Sequence, residues 1–262
     1  MYIDSHCHLD FSVFDSDREQ IVASCLKRGV GHFIIPGTQF NAWNKQALLL
    51  DDYSTLSMAY GIHPYFLEQE KLSSIELLGD FCELNSAIAV GEIGLDIWPT
   101  SLPLEIQLVF FRSQLDVAKA LTLPIILHAR RSYDLLYKEL KNSRFMNGGV
   151  VHGFSGSMVQ AKRFIELGFV LGIGGNITYT RALKSIKVVR ELGSEDYVLE
   201  TDSPDMPIAG QQGERNTPLN IPLIAHAIAE IRQQSLQDIE YHTSININRV
   251  FPNMMRGSRV ES

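Results

Sequence analysis

The chain has 262 residues, of which 45% are hydrophobic and 20% charged. This is an ordinary globular composition, able to bury a full core without disulfides. The formal net charge of −7 argues against a broad nucleic-acid-coating surface. It leaves room for a local phosphate site, because bound cations can supply positive charge. The three cysteines (Cys7, Cys25 and Cys82) are widely spaced and odd in number, so no disulfide framework is expected and the reducing cytoplasm is the expected location. No apolar run is long enough to span a bilayer, and Met1-Tyr2-Ile3-Asp4 does not start a secretory signal. No membrane association and no obligate protein partner are expected.

Short β-rich runs alternate with amphipathic stretches along the whole chain. The expected strands are 2–9, 32–36, 55–60, 87–91, 124–128, 150–152, 169–173 and 197–200. The expected helices are 18–28, 42–50, 74–84, 104–121, 133–141, 159–167, 182–191 and 222–233, with a further helix over 236–250. Strands joined by helical crossovers are parallel. A doubly wound open sheet also fits this alternation, but the count of eight favours a (β/α)8 TIM barrel, read as one domain over 1–262. The tail after Asn253 reads as frayed and polar.

Polar residues fall where such a barrel would use them. His6, His8, Glu92, His128, His152 and Asp202 lie in or just beyond the C-terminal ends of expected strands. In a barrel these ends converge on one mouth. His6 and His8 are two apart and share a face of an extended strand, a chelate for a divalent ion or simply two satisfied polar residues. Glu92 follows a glycine and could bridge two cations or sit in a solvated loop. Asp96 is a ligand-orienting residue or a cap. His128 ends a buried-type strand, and Arg130 beside it is a phosphate clamp or a surface ion pair. His152 ends another apolar run. Ser155 and the turn to Ser157 could hold an anion on exposed N–H groups, or Ser157 could simply cap a helix. Asp202 closes the set, as ligand and proton acceptor or as a turn residue ahead of Pro204. Glu200 is a candidate partner on the same face. His63 is placed at the substrate or in a loop role. Histidines and carboxylates are costly to bury unpaired, and a shared metal cluster gives them partners.

These residues sit in blocks that resemble the TatD-type metal-dependent deoxyribonucleases of the amidohydrolase superfamily, nearest a YjjV-like branch. The blocks are DSHCHLD at 4–10, GIHP at 61–64, VGEIGLD at 90–96, LPIILHARR at 123–131, VVHGFSGS at 150–157, GGNITY at 174–179, ETDSPDMP at 200–207 and GERNTP at 213–218. The resemblance implies that His6 and His8 hold one metal with Asp202 as a further ligand. It implies that Glu92 bridges to a second metal held by His128 and His152. Many relatives read GIHPH, whereas this chain has Tyr65 after Pro64.

The expected chemistry is two-metal hydrolysis of a DNA or nucleotide phosphodiester, with Glu92 and Asp202 as catalytic residues. Arg130, His63 and Ser155 are the expected substrate contacts. The cofactor is a pair of divalent ions (Zn, Mn or Mg), and the imidazole-rich ligand list leans toward Zn in a purified sample. Two rivals stand beside this reading. One is an acyl or ester hydrolase such as an aminoacyl-tRNA deacylase, and the other a metal-carrying interaction protein.

Overall fold

The computed structural model describes residues 1–254, and most of the tail expected to be frayed lies outside them. The strands are β1 (Tyr2–Asp4), β2 (Val30–Ile35), β3 (Leu56–Tyr60), β4 (Ala89–Asp96), β5 (Ile125–Arg130), β6 (Gly149–Val151), β7 (Phe169–Ile173) and β8 (Tyr197–Leu199). The helices are α1 (Arg18–Lys27), α2 (Trp43–Asp52), α3 (Leu72–Glu76), α4 (Leu78–Leu84), α5 (Leu104–Ala120), α6 (Tyr133–Asn142), α7 (Met158–Ile165), α8 (Leu183–Glu191), α9 (Ile221–Arg232) and α10 (Leu236–Val250). All eight strands pair in sequence order and in parallel, β1 to β8. The Ser5 N–H donates to the Leu199 carbonyl at 2.9 Å and draws the last strand toward the first, so the sheet is a nearly closed barrel. The expected fold class is the observed one.

Every residue of β3, β4 and β7 is buried, as expected for parallel strands with core on both faces. One apolar layer lies between strands and helices. A separate cluster fills the barrel interior. It includes Ile34, Ala59, Ile126, Val150, Val170 and Val198, with Val250, Phe251 and Met254 from the end of α10 and beyond packed on it. Ile126 and Val150 precede His128 and His152 by two residues, so side-chain alternation turns all four inward. The interior is therefore apolar toward α10 and polar at the strand C-terminal ends.

Most expected boundaries shift by a residue or two, and three differences are larger. The first strand ends at Asp4, not at residue 9, because the chain leaves regular pairing to enter the mouth. The fourth runs on to Asp96, so Glu92 lies within a strand instead of after it. The third expected helix is two, α3 and α4, which meet at Leu77.

Candidate metal centre

Although His6 and His8 lie beyond β1, backbone bonds hold their segment. The Cys7 N–H donates to the Ile34 carbonyl at 3.1 Å, and the His8 N–H to the Ser203 carbonyl at 2.7 Å. The buried Asp4 carboxylate accepts from the His6 N–H at 3.2 Å, the Thr201 N–H at 3.0 Å and the Thr201 hydroxyl at 2.6 Å. It thereby ties the His6 turn to the chain leaving β8. Asp202 has a φ of 54°, a left-handed conformation that Asp tolerates better than most residues. Its N–H donates to the His6 carbonyl at 2.8 Å. The loop behind it is pinned by Asn216, fully buried, whose side-chain amide donates to the carbonyls of Thr201, Asp205 and Met206.

Glu92 stands at the middle of the cluster, 2% exposed, and its two oxygens face different histidines. Oε2 lies 3.1 Å from His6 Nε2 and 3.9 Å from His8 Nε2. Oε1 lies 2.8 Å from His128 Nδ1, 2.9 Å from His152 Nε2 and 3.2 Å from His63 Nε2. Asp202 Oδ1 closes the first side, 3.4 Å from His6 Nε2 and 3.6 Å from His8 Nε2. The His6 and His152 rings stack with centroids 4.0 Å apart. Further carboxylates orient the outer ring nitrogens. Asp96 Oδ2 lies 3.4 Å from His128 Nε2, and Glu200 Oε1 lies 3.7 Å from His152 Nδ1 while accepting the Gly153 N–H at 2.5 Å. Carboxylates behind histidine ligands commonly fix ring orientation in this way.

Burial alone would push the Glu92 carboxyl up. His152, His63 and His6 and the hydrogen bond with His128 outweigh it and hold the group well below the usual carboxylate range. Burial opposes ionisation of Asp202 in the same way, but His152, His8 and His6 bring its pKa down to about 2. The His6 ring is driven toward its neutral form by burial and by neighbouring His152. Against the opposing pull of burial, the facing carboxylates push His8, His128 and His152 the other way, upward, so the centre combines ionised carboxylates with imidazoles whose protons a cation would replace.

This donor set fits divalent cations. His6 Nε2 lies 3.1 Å from a carboxylate oxygen yet makes no aligned hydrogen bond, and His8 Nδ1 and His152 Nδ1 are also buried without one. An imidazole lone pair facing a carboxylate oxygen is repulsive unless a proton or a cation lies between them. Three groups of donor atoms lie within 4.8 Å of one another: His6, His8 and Glu92; His6, His152 and Asp202; His63, Glu92 and His128. Mixed imidazole and carboxylate donors suit Zn and other transition ions.

The six expected ligands are brought together. His63, expected at the substrate or in a loop, lies within the cluster against Glu92, its Nδ1 accepting the Tyr65 N–H at 3.0 Å. Its position after the third strand, matching the other histidines, was the available sign. Arg130 is separated from the cluster by one carboxylate, its Nη1 3.7 Å from Asp96 Oδ2. Ser155 lines a cavity of about 270 Å³ with Gly153, Phe154, Asn176, Asp202 and Met206, and its N–H donates to the Tyr133 hydroxyl at 2.9 Å. Ser157 caps α7 in a reciprocal pair with Gln160, so its own hydroxyl is committed to the helix.

A barrel with a histidine–carboxylate cluster at its mouth is the architecture of a metal-dependent hydrolase. The TatD related DNase family matches residues 3–252, and the chain belongs to that family. It is 40% identical over 240 residues to the metal-dependent hydrolase YjjV of Escherichia coli K12, covering 91% of this chain and 93% of that protein. The crystal structure of that TatD homologue superposes with a TM-score of 0.92 at 39% identity, covering 96% and 98% of the two chains. The 3'-5' ssDNA/RNA exonuclease TatD of Klebsiella pneumoniae is 26% identical over 250 residues, covering 93% of this chain and 95% of its own. No described helix is long and apolar enough to cross a membrane.

Proposed function

We propose that this chain hydrolyses phosphodiester bonds of DNA with a pair of divalent cations. The observation that carries the proposal is the division of Glu92, one oxygen toward His6 and His8 and the other toward His128, His152 and His63. A carboxylate placed in this way can serve two ions at once. His6, His8 and Asp202 would hold one, His128 and His152 the other, and no modified lysine is required. Bound divalent cations lower the pKa of a coordinated water and offset charge on phosphoryl oxygens. The nuclease named among the relatives supports a nucleic-acid substrate.

The chain's own groups do the rest. Asp202 is ionised at neutral pH and is the more open of the two central carboxylates, with 19% of its side chain exposed against 2% for Glu92. It takes the proton of the attacking water at a carboxylate oxygen. Asp96 and Glu200 hold the His128 and His152 rings in position. The cavity beside Asp202, with Ser155 and Phe154 in its wall, receives the group flanking the scissile bond. Arg130 offers a planar guanidinium to a phosphate.

The test is to strip the protein with a chelator, restore Mn2+, Mg2+ or Zn2+ separately, and assay a single-stranded DNA oligonucleotide beside aminoacyl-tRNA and a simple ester. DNA cleavage that disappears and returns with metal is the expected result. Cleavage indifferent to complete metal removal, or faster turnover of the acyl esters, overturns the proposal.

A further inference from the structure

The rim between β4 and β5 carries two side chains with no part in the proposed hydrolysis, Trp98 and Arg131, beside Arg130. Trp98, two residues past β4, is 39% exposed. The Arg130 guanidinium carbon lies 3.8 Å from its ring centroid and the Arg131 guanidinium carbon 4.4 Å. Consecutive side chains diverge along a strand. Here Arg131 adopts a φ of 56°, and this left-handed turn out of β5 brings two adjacent arginines onto one indole. Among the described residues no carboxylate forms an ion pair with Arg131, and the one serving Arg130 is 3.7 Å away and also faces His128. Two guanidinium groups are thus held against one indole on a chain of net charge −7, Arg131 with no ion pair among the described residues and Arg130 sharing a single carboxylate with His128.

We propose that Trp98, Arg130 and Arg131 form a clamp for a backbone phosphate next to the scissile one, so that the enzyme selects a nucleic-acid strand over an isolated phosphodiester. The proposal rests on the nuclease reading. Its placement follows from a continuous line of polar contacts: Glu92 to His128 at 2.8 Å, His128 to Asp96 at 3.4 Å, and Asp96 to Arg130 at 3.7 Å. Asp96 pairs in register with Arg130, and the Ile97 N–H donates to the Arg130 carbonyl at 2.9 Å, which fixes Trp98 beside the arginines. Guanidinium groups match phosphate oxygens bidentately, and the indole face holds them in place through cation–π attraction.

The experiment measures binding of labelled phosphorothioate octathymidylate and dithymidylate to the Mg2+-loaded enzyme by anisotropy, across a salt series. Trp98 fluorescence gives a second signal, since Trp43, the other tryptophan, is fully buried. The wild type is expected to bind the octamer at least about tenfold more tightly than the dimer. Arg131→Gln and Trp98→Leu should each remove most of that preference, and Arg131→Gln should lower the salt slope by about 0.7, the share of one single-strand phosphate contact. Arg190→Gln, on the outer face of α8, should retain the preference. Unchanged octamer affinity and salt slope in Arg131→Gln overturn the clamp, and so does a wild type without chain-length preference. Octamer binding that depends on Arg131 in an enzyme that cleaves no nucleic acid overturns the nuclease reading and leaves the clamp standing as a polyanion site.

Discussion

A single buried charge organises the centre. Glu92 is surrounded by His6, His63, His128 and His152, and only an ionised carboxylate satisfies oxygens approached from two sides. Asp202 has a different task, because it is the partly open carboxylate beside the cavity. Asp202→Asn keeps the shape and removes the proton acceptor. It should lower kcat on DNA at least about a hundredfold, the usual scale of general-base loss. A kinetic comparison in which kcat is retained contradicts the assignment. His32 shows a titration unconnected with the centre. Its ring is partly buried on β2, Nε2 2.8 Å from the Ser57 hydroxyl, and burial pushes its pKa down to about 4. The folded ring stays neutral where the unfolded ring, at about 6.5, takes up a proton. Stability from this residue is therefore complete above pH 6.5, falls as pH drops toward about 4, and changes no further below. The loss is at most about 3 kcal/mol, since the ring is only partly buried. Denaturant unfolding between pH 7 and 4 should show a shallower decline in His32→Gln than in the wild type.

At the level of elements, the loop after β8 matters as much as any strand, because it presents Asp202. Asn216 holds it through three carbonyls, and its own carbonyl accepts from the Thr217 N–H and the Asn220 amide. Asn216→Ala strands several buried polar groups, at roughly 1 to 3 kcal/mol for each group left unsatisfied. Hydrogen exchange over 201–217 should speed up and kcat should fall, and unchanged protection there would contradict this role. Strands and helices were legible because burial on both faces writes apolar runs, and the ligands because His128 and His152 each end such a run. The end of β1 was not legible. Residues 5–9 look like strand, but their backbone bonds go to Leu199, Ile34 and Ser203, partners far away in the chain. The position of His63 after a strand hinted at the mouth but not at its contact with Glu92, and the meeting of Trp98 with Arg131 had no sign at all, since each depends on how neighbouring loops fold over the rim. The break at Leu77 between α3 and α4 carries no proline, and Gly79 falls inside α4 instead of at the break.

Across the whole molecule, the barrel separates stability from chemistry along its axis. Phe251, 1% exposed, packs with the apolar interior at the α10 end, away from the polar mouth. Phe251→Ala should cost about 3 to 5 kcal/mol and lower Tm by roughly 10 °C, while metal content per folded chain stays the same. Melting followed by calorimetry, with metal analysis of the same sample, checks both halves. The mouth gathers residues from β1's exit, β4, β5, β6's exit and β8's exit, so any cation held there binds the folded chain alone and stabilises it by mass action. Metal stoichiometry after equilibrium dialysis against Zn2+ or Mn2+ therefore bears most directly on the centre. The wild type should hold about two divalent ions per chain, and Glu92→Gln, which keeps the shape and loses the charge, should fall well below that. A correctly folded wild type that takes up no ion at saturating metal, or a Glu92→Gln protein that holds as much as the wild type, contradicts a centre built on this carboxylate.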